Sequence, residues 1–198
     1  MKMFMSMMLV LTTSFTVVAQ DKPMAATYKV DSSASSVKWV GTKLKGQHAG
    51  TVSTKDGFLT YQGDIITAGE INVDMSTMTV TDIPVTDEMN AKLLGHLKSP
   101  DFFNVEKYPN AKLVIIGSEK TKTGLKVKGN LTFIGKTNPI EFDAIVNKTE
   151  SQVVTKSGVK LDRTKWGLKY NSGNFFKDLG DKLIDNEFTI EVDILAKK

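Results

Sequence analysis

Side chains that could perform acid–base or metal chemistry are few in this sequence and lie far apart. The only histidines are His48 and His96, neither belongs to a metal-binding spacing such as His-Glu-x-x-His, and cysteine is absent. A transition-metal site would therefore lack its usual ligands. Four acids bracket the centre of the chain: Asp74, Asp82, Asp87 and Glu88. A carboxylate pair can hydrolyse a glycoside, but the spacing alone brings no two of these to a working distance, so we predict neither an enzyme nor a metal site.

Nucleotide and nucleic-acid chemistry also lacks its motifs. The sequence has no Gly-x-Ser-x-Gly elbow, no phosphate-cradling glycine loop and no dinucleotide fingerprint. The formal net charge is +4, the lysines are scattered, and Arg163 is the only arginine. The sequence therefore offers almost no guanidinium groups for bidentate recognition of phosphate or guanine. We expect no nucleic-acid partner, while the mild basicity leaves open a transient contact with an anionic membrane surface.

The N-terminal segment has the pattern of a secretory signal peptide. Lys2 precedes an apolar run over residues 3–18, and the Val-Val-Ala sequence ending at Ala19 suits signal peptidase. We predict a signal peptide over residues 1–19, cleaved after Ala19, and one domain over residues 20–198. A retained membrane anchor is the alternative, but the run is shorter than the ~20 residues of a membrane span and is diluted by hydroxyl side chains. The expected location is therefore periplasmic or secreted.

From Tyr28 onward the hydrophobic pattern mostly repeats every two residues, as in strands with one buried face. The clearest alternation predicts strands at residues 125–133, 140–146 and 188–194. A turn over residues 135–139 makes the first two a hairpin. Less regular patterns predict further strands at residues 37–44, 48–53, 58–61, 64–73, 112–118, 153–161 and 164–168. An Asp-Gly turn at residues 56–57 precedes the third of these. Short strands at such regular spacing indicate an all-β barrel or sandwich.

The centre of the chain departs from this pattern with a short helical insertion. Thr86 can cap a helix in which Met89, Leu93 and Leu97 recur at i, i+4 and i+8, which predicts an amphipathic helix over residues 86–97. Ser99 and Pro100 then predict a second, short helical turn that carries Phe102 and Phe103. Such a segment can cover an open end of the sheet, or its phenylalanines can simply fill the core.

The alternating faces are rich in aromatic side chains: Trp39, Phe58, Tyr61, Phe133, Phe142, Trp166, Phe175 and Phe188. The interior of an eight-stranded barrel is either filled by side chains or just wide enough to hold one ligand. Periodicity does not separate these two cases. Gly129, between Val127 and Leu131, favours space inside, because a packed core would place bulk there.

Several segments together resemble the YceI-like family. Residues 96–109 are similar to its hallmark HLxSxDFFDVxxYP, and residues 129–140 to its G-x-L-T-x-x-G-x-T-x-P-V hairpin. Residues 28–39 resemble the opening strand, and Gly180-Asp181 precedes the final strand as in the family. The resemblance spans nearly the whole chain after residue 19. Two positions depart from the pattern: Asn104 replaces a common aspartate, and Trp166-Gly167-Leu168 replaces a Phe-Gly-Ile type of sequence.

The resemblance implies an extended, eight-stranded, antiparallel lipocalin-like β-barrel, exported in bacteria, whose pore binds a long amphiphile. The ligand would be an isoprenoid quinone, a polyisoprenoid or a fatty amide, and no other cofactor is expected. We expect the ligand-binding residues to be Trp39, Phe58, Phe102, Phe103, Tyr108, Leu131, Phe133, Phe142 and Trp166. Three polar residues near the mouth could orient a head group: His48, Tyr108 and Lys169.

A second hypothesis stays open. The chain could be a structural or protein-interaction module of the envelope, with a fully packed barrel and no lipid ligand. A solid interior at Leu131, Phe133 and Phe142 would favour it. Oligomeric state is not fixed by the sequence, and a dimer is compatible with it.

Overall fold

The computed structural model describes residues 24–198, so the predicted signal peptide lies outside the described residues. The described part has nine strands and one α-helix, α1. In chain order they are β1 (Ala25–Val30), β2 (Ser36–Lys43), β3 (Gly46–Gln62), β4 (Ile65–Asp74), α1 (Glu88–Lys98), β5 (Asn110–Lys120), β6 (Leu125–Phe133), β7 (Lys136–Lys148), β8 (Gln152–Asp162) and β9 (Ile184–Lys197). Short 3-10 turns occur at Ser32–Ala34, Met75–Thr77, Arg163–Trp166 and Gly180–Lys182.

Strands β2 to β9 form a closed antiparallel barrel. Each strand pairs with its neighbour in sequence, and β2 pairs with β9 to close the circle. The long strand β3 pairs with β2 along its first half and with β4 along its second half. The extra strand β1 lies beside the second half of β3 and reaches the end of β9. The predicted fold class, an eight-stranded antiparallel barrel with a short helical insertion, is confirmed.

The two ends of the barrel differ in how the strands are connected. One end, the turn end, holds the short turns at residues 63–64, 121–124 and 149–151. The opposite end, the helical end, holds α1, the β2–β3 turn and the long loop between β8 and β9. The two longest connections, between β4 and β5 and between β8 and β9, are therefore both at the helical end.

A backbone segment over residues 79–82, which we call the strap, replaces β4 beside the first half of β3. The Thr79 N–H donates to the Thr51 carbonyl at 2.9 Å, and the Thr81 N–H donates to the Ala49 carbonyl at 2.8 Å. Asn90 on α1 donates to the Val80 carbonyl at 3.1 Å and holds the helix over the strap. The strap thus connects α1 to the barrel wall.

The predicted turn at Asp56 and Gly57 is wrong, because β3 runs through it without a break. The register of β3 against β4 instead shifts between Thr54 and Asp56. Such a bulge bends a strand while its neighbours stay hydrogen-bonded. The two predicted strands at residues 48–53 and 58–61 are therefore one strand.

The predicted strand at residues 164–168 is also wrong. The Asp162 side chain accepts a hydrogen bond from the Thr164 N–H at 2.9 Å, which caps a 3-10 turn over Arg163–Trp166. Gly167 ends this turn with a φ of 88°, a conformation that glycine adopts without a steric cost. Alternation of apolar residues did not reveal the cap.

The predicted helix and hairpin are present, with shifted boundaries. Asp87, not Thr86, caps α1, and its carboxylate accepts from the Met89 N–H at 2.9 Å. Beyond α1 the predicted second helical turn is replaced by a series of non-helical turns, in which the Phe103 N–H donates to the Leu97 carbonyl at 3.0 Å. The β6–β7 turn is tighter than predicted, because β7 already begins at Lys136.

Candidate functional site

The barrel encloses a cavity of about 230 Å³ whose surface is apolar. Alternating residues of the strands form its wall, for example Val37 and Trp39 of β2. The cavity extends from Thr155, near the turn end, to Leu168 and Ile184 at the helical end. Its shape follows the barrel axis, which suits an elongated apolar group.

The turn end is closed by two tyrosines on the strands themselves. The rings of Tyr28 and Tyr61 meet edge to face with centroids 5.9 Å apart, and the Tyr28 hydroxyl donates to the Thr149 carbonyl at 3.1 Å. Burial raises the pKa of Tyr61 to about 12. Because both rings are carried by strands, closure of this end does not depend on a long loop.

The helical end is covered from one side by the connection between β4 and β5. Met75 and Met78 reach the cavity before α1, Leu97 from α1 itself, and Phe102 and Phe103 after it. The Phe103 ring packs on Phe133 of the barrel wall at a centroid distance of 5.4 Å. We call residues 75–103 the first cover.

The loop between β8 and β9, residues 163–183, covers the other side and forms the second cover. Arg163 anchors it, with only 4% of its surface exposed. Its guanidinium donates to the carbonyls of Leu168, Ile184 and Asp185 at 3.0, 3.0 and 2.9 Å. Burial lowers the pKa of Arg163, which has no carboxylate hydrogen-bonded to it. This arginine positions the backbone and leaves the cavity surface apolar.

The two covers meet in a cluster of three aromatic rings. The Tyr170 ring of the second cover lies 4.8 Å from the His96 ring and 5.1 Å from the Phe102 ring, both on the first cover. The His96 Nε2 atom lies 3.5 Å from a carboxylate oxygen of Asp101. We call these ring contacts the joint between the covers, and within residues 24–198 no strand pairing crosses it.

Six of the nine residues predicted to bind a ligand line the cavity: Trp39, Phe102, Phe103, Leu131, Phe133 and Phe142. The other three do not. Phe58 is 39% exposed and points to the outside of β3. The Tyr108 ring lies against the β6–β7 turn, so close that a side chain at Gly135 would collide with it. Trp166 is buried behind Phe133 and donates from Nε1 to the Leu131 carbonyl at 3.1 Å.

The polar residues predicted to orient a head group lie outside the cavity and make other contacts. His48 Nδ1 lies 2.8 Å from Asp82 Oδ2, and the Ala49 N–H donates to the other oxygen of Asp82 at 2.8 Å. Burial opposes ionisation of Asp82, but these hydrogen bonds keep its pKa below the ordinary value. Lys169 Nζ lies 4.8 Å from the Phe175 ring centroid on the outer surface. Neither His48 nor Lys169 lines the cavity.

Sequence reasoning did not single out several lining residues. Met75 and Met78 follow β4 in a 3-10 turn, and their apolar character was the only available signal. Thr155 also lines the cavity, with its buried hydroxyl beside that of Tyr61. Among residues 24–198, no helix combines the length and the hydrophobicity needed to cross a membrane.

Comparison with known proteins gives one family and one fold. Residues 28–196 match the YceI-like domain. Protein YceI of Salmonella arizonae is 29% identical over 183 residues, which cover 88% of this chain and 90% of that protein. BcnA of Burkholderia cenocepacia has a similar structure, with a TM-score of 0.65 and 17% identity over 85% of this chain and 99% of that one. A polyisoprenoid binding domain from Saccharophagus degradans, implicated in plant cell wall breakdown, gives a TM-score of 0.63 and 11% identity over 86% and 97%.

Proposed function

Because the chain belongs to the YceI-like family, we propose that it is an exported carrier that encloses the apolar tail of a long amphiphile in its barrel. The class of ligand is an isoprenoid quinone, a polyisoprenoid or a fatty amide. The observation that carries the proposal is the apolar cavity along the barrel axis. The similar fold of a polyisoprenoid binding domain supports the same class.

The apolar surface of the cavity determines which part of the ligand enters. A polar group that leaves water without a new hydrogen bond costs roughly 2–7 kcal/mol. Since the accessible surface of the cavity is apolar, the tail lies inside and the head group stays at the helical end. Each methylene group that enters contributes about 0.8 kcal/mol, or roughly fourfold in affinity.

The size of the cavity sets a limit on this gain. Small-molecule pockets are typically about 300–1,000 Å³, and the cavity of about 230 Å³ is slightly smaller. It therefore holds part of a long tail, and a complete isoprenoid tail requires the covers to move apart. We assign this movement to the joint of His96, Phe102 and Tyr170, because the turn end is closed by wall residues.

Export is part of the proposal. Residues 1–19 would direct the chain out of the cytoplasm and be removed after Ala19, which leaves the barrel domain in the periplasm or outside the cell. N-terminal sequencing of the protein from its own host checks this directly, with Gln20 as the expected first residue.

The competing hypothesis is an envelope interaction module with a packed barrel. Leu131, Phe133 and Phe142 would then fill the interior, whereas all three line the cavity. This observation favours the carrier.

The carrier is tested by lipid uptake. Protein purified from its own host is analysed by native mass spectrometry and lipid extraction, and the purified chain is then titrated with fatty amides of increasing length and with ubiquinone analogues. Affinity should rise with chain length and level off when the cavity is full. No lipid in the native protein and no uptake of any analogue would contradict the proposal.

A matched pair of variants locates the bound tail. Val127 is buried and lines the cavity, so Val127→Phe should reduce uptake. Ile116 is 61% exposed on the outer face of β5, so Ile116→Phe adds a ring without reaching the cavity. Uptake by Val127→Phe equal to that of the wild type and of Ile116→Phe would show that the tail binds elsewhere.

A further inference from the structure

Two adjacent aromatic side chains and a leucine are exposed at the helical end of the barrel. Phe175 and Phe176 are adjacent and about half exposed, and Leu44 in the β2–β3 turn is 62% exposed. The three short turns at the turn end, residues 63–64, 121–124 and 149–151, consist of polar residues and glycine. Adjacent apolar side chains exposed on one part of a protein often mark a binding surface.

An ordered turn holds the two phenylalanines in this exposed position. The fully buried Ser172 accepts, through its carbonyl, hydrogen bonds from the N–H groups of both Phe175 and Phe176, each at 3.0 Å. The Ile184 N–H donates to the Asn171 carbonyl at 3.0 Å and ties the turn to the start of β9. The rings are therefore exposed by a fixed backbone, which reduces the ordering cost of binding.

The β2–β3 turn belongs to the same surface. Lys45 Nζ lies 2.7 Å from Asp181 Oδ2, and the Leu44 N–H donates to the Leu183 carbonyl at 3.5 Å. These contacts join the turn at residues 43–45 to the second cover. We call residues 43–45 and 169–182 together the docking face.

The docking face is basic as well as apolar. It contains five lysines and two aspartates, and Asp181 is already paired with Lys45. Lys169, Lys177 and Lys182 are exposed, and Lys169 lies 4.8 Å from the Phe175 ring centroid. Aromatic side chains flanked by lysines suit the headgroup region of a bilayer, where the rings enter the apolar boundary and the ammonium groups meet anionic phosphates.

The docking face also adjoins the cavity. Its loop begins next to Leu168, which lines the cavity, and Tyr170 is the residue through which the second cover contacts the first. A surface that holds this loop therefore lies directly over the joint between the covers.

From these observations we propose that the docking face binds the surface of an anionic phospholipid bilayer and places the joint where a lipid tail leaves the membrane. The proposal rests on the proposed carrier function, but its surface can be tested separately. Phe175 and Phe176 insert, and the lysines supply the attraction to negative charge.

The test is sedimentation of the purified chain with vesicles of phosphatidylcholine that contain about 30 mol% phosphatidylglycerol, compared with phosphatidylcholine alone. The wild type should bind the anionic vesicles and only weakly the neutral ones. Phe175→Ser/Phe176→Ser should lose about tenfold or more in binding. Lys177→Gln/Lys182→Gln should lose at least about fivefold, since each lysine near such a surface contributes about that factor.

The control is Ile116→Thr/Ile145→Thr, which removes two exposed apolar side chains from the barrel wall, 61% and 58% exposed. This variant should bind vesicles like the wild type, and all variants are first compared by thermal unfolding. Equal losses in the control and in Phe175→Ser/Phe176→Ser would overturn the proposal, because general hydrophobicity would then explain binding.

Tail uptake from detergent solution is measured in parallel to separate this proposal from the carrier function. Normal uptake by Phe175→Ser/Phe176→Ser with loss of vesicle binding supports the docking face. A wild-type chain that takes up tails but does not bind anionic vesicles overturns the docking face and leaves the carrier function intact. A wild-type chain that takes up no tail contradicts the carrier function itself.

Discussion

Gly50→Ala should destabilise the barrel at the point where the strap crosses β3. A methyl group at this position would collide with the Thr79 carbonyl oxygen, which belongs to the strap backbone. It would also lie 2.6 and 2.7 Å from two ring carbons of Trp39, which lines the cavity. Real side chains do not tolerate such distances, so either the strap or the tryptophan must move.

The size of the effect follows from these contacts. Overpacking of a well-packed site costs typically about 1–3 kcal/mol. Displacing the strap weakens its two hydrogen bonds to β3, donated by Thr79 and Thr81, and each contributes about 1 kcal/mol. We expect a total loss of about 2–4 kcal/mol, and a chain of this length should then melt roughly 4–16 °C lower.

Urea and thermal unfolding followed by circular dichroism measure this loss. Gly158→Ala is the matched control, because Gly158 lies in β8 with no atom within 4 Å of an added methyl group. The control should be unchanged or more stable by up to about 1 kcal/mol. Equal midpoints for the two variants would refute the assignment of Gly50 as the contact point of the strap.

Three further variants test other parts of the structure. Phe103→Ala should lower stability by about 2–4 kcal/mol in urea unfolding, and unchanged tail uptake would mark a core role rather than a role in the cover. Arg163→Lys should lower the free energy of unfolding by at least about 2 kcal/mol, because buried carbonyls lose their donor. Lys165→Ala, which removes an exposed side chain from the same 3-10 turn, should change it little. The carboxylate of Asp31 accepts a hydrogen bond from Lys197 at 2.6 Å, and this and the Ser33 hydroxyl lower its pKa from 3.8 to about 2. The ionised carboxylate stabilises the fold fully above its ordinary pKa, and this stabilisation is lost as the pH falls through the folded-state pKa. Asp31→Asn should therefore show a smaller fall in melting temperature between pH 4 and 2 than the wild type. The same fall in both proteins would contradict this.

Much of the barrel could be predicted because alternation of apolar and polar residues indicates directly which face of a strand is buried. The strands at residues 125–133 and 188–194 lie within β6 and β9, since each has one face toward the interior. The strap could not be predicted in the same way. Its hydrogen bonds to β3 join residues about 30 positions apart, and nothing in its local composition differs from a loop.

Phe58 shows how a single bulge changes which side chains of a strand face the barrel interior. Before the bulge the buried residues of β3 are Val52 and Thr54, and after it they are Leu59 and Tyr61. Uninterrupted alternation from Val52 would have placed Phe58 inside. The extra residue shifts the pattern by one and turns Phe58 outward. In β2 the register shifts only after Trp39, between Gly41 and Lys43, and the pairing of β6 with β7, which contains Phe133, has no shift. Both residues accordingly line the cavity, as their predicted facing requires.

Closure of the barrel by β2 and β9 has a consequence for the order of folding. Trp39 pairs with Ile190, so this seam joins residues from opposite ends of the domain, whereas the other neighbouring pairs among β2 to β9 are connected by hairpins or single loops. Contacts between residues far apart in sequence form late, because closing the long loop between them costs chain entropy before the contact can stabilise the fold. Trp39 and Ile190 also line the cavity, so the cavity is incomplete until β9 has paired with β2. If the chain is the proposed carrier, it can take up a ligand only after β9 has paired with β2.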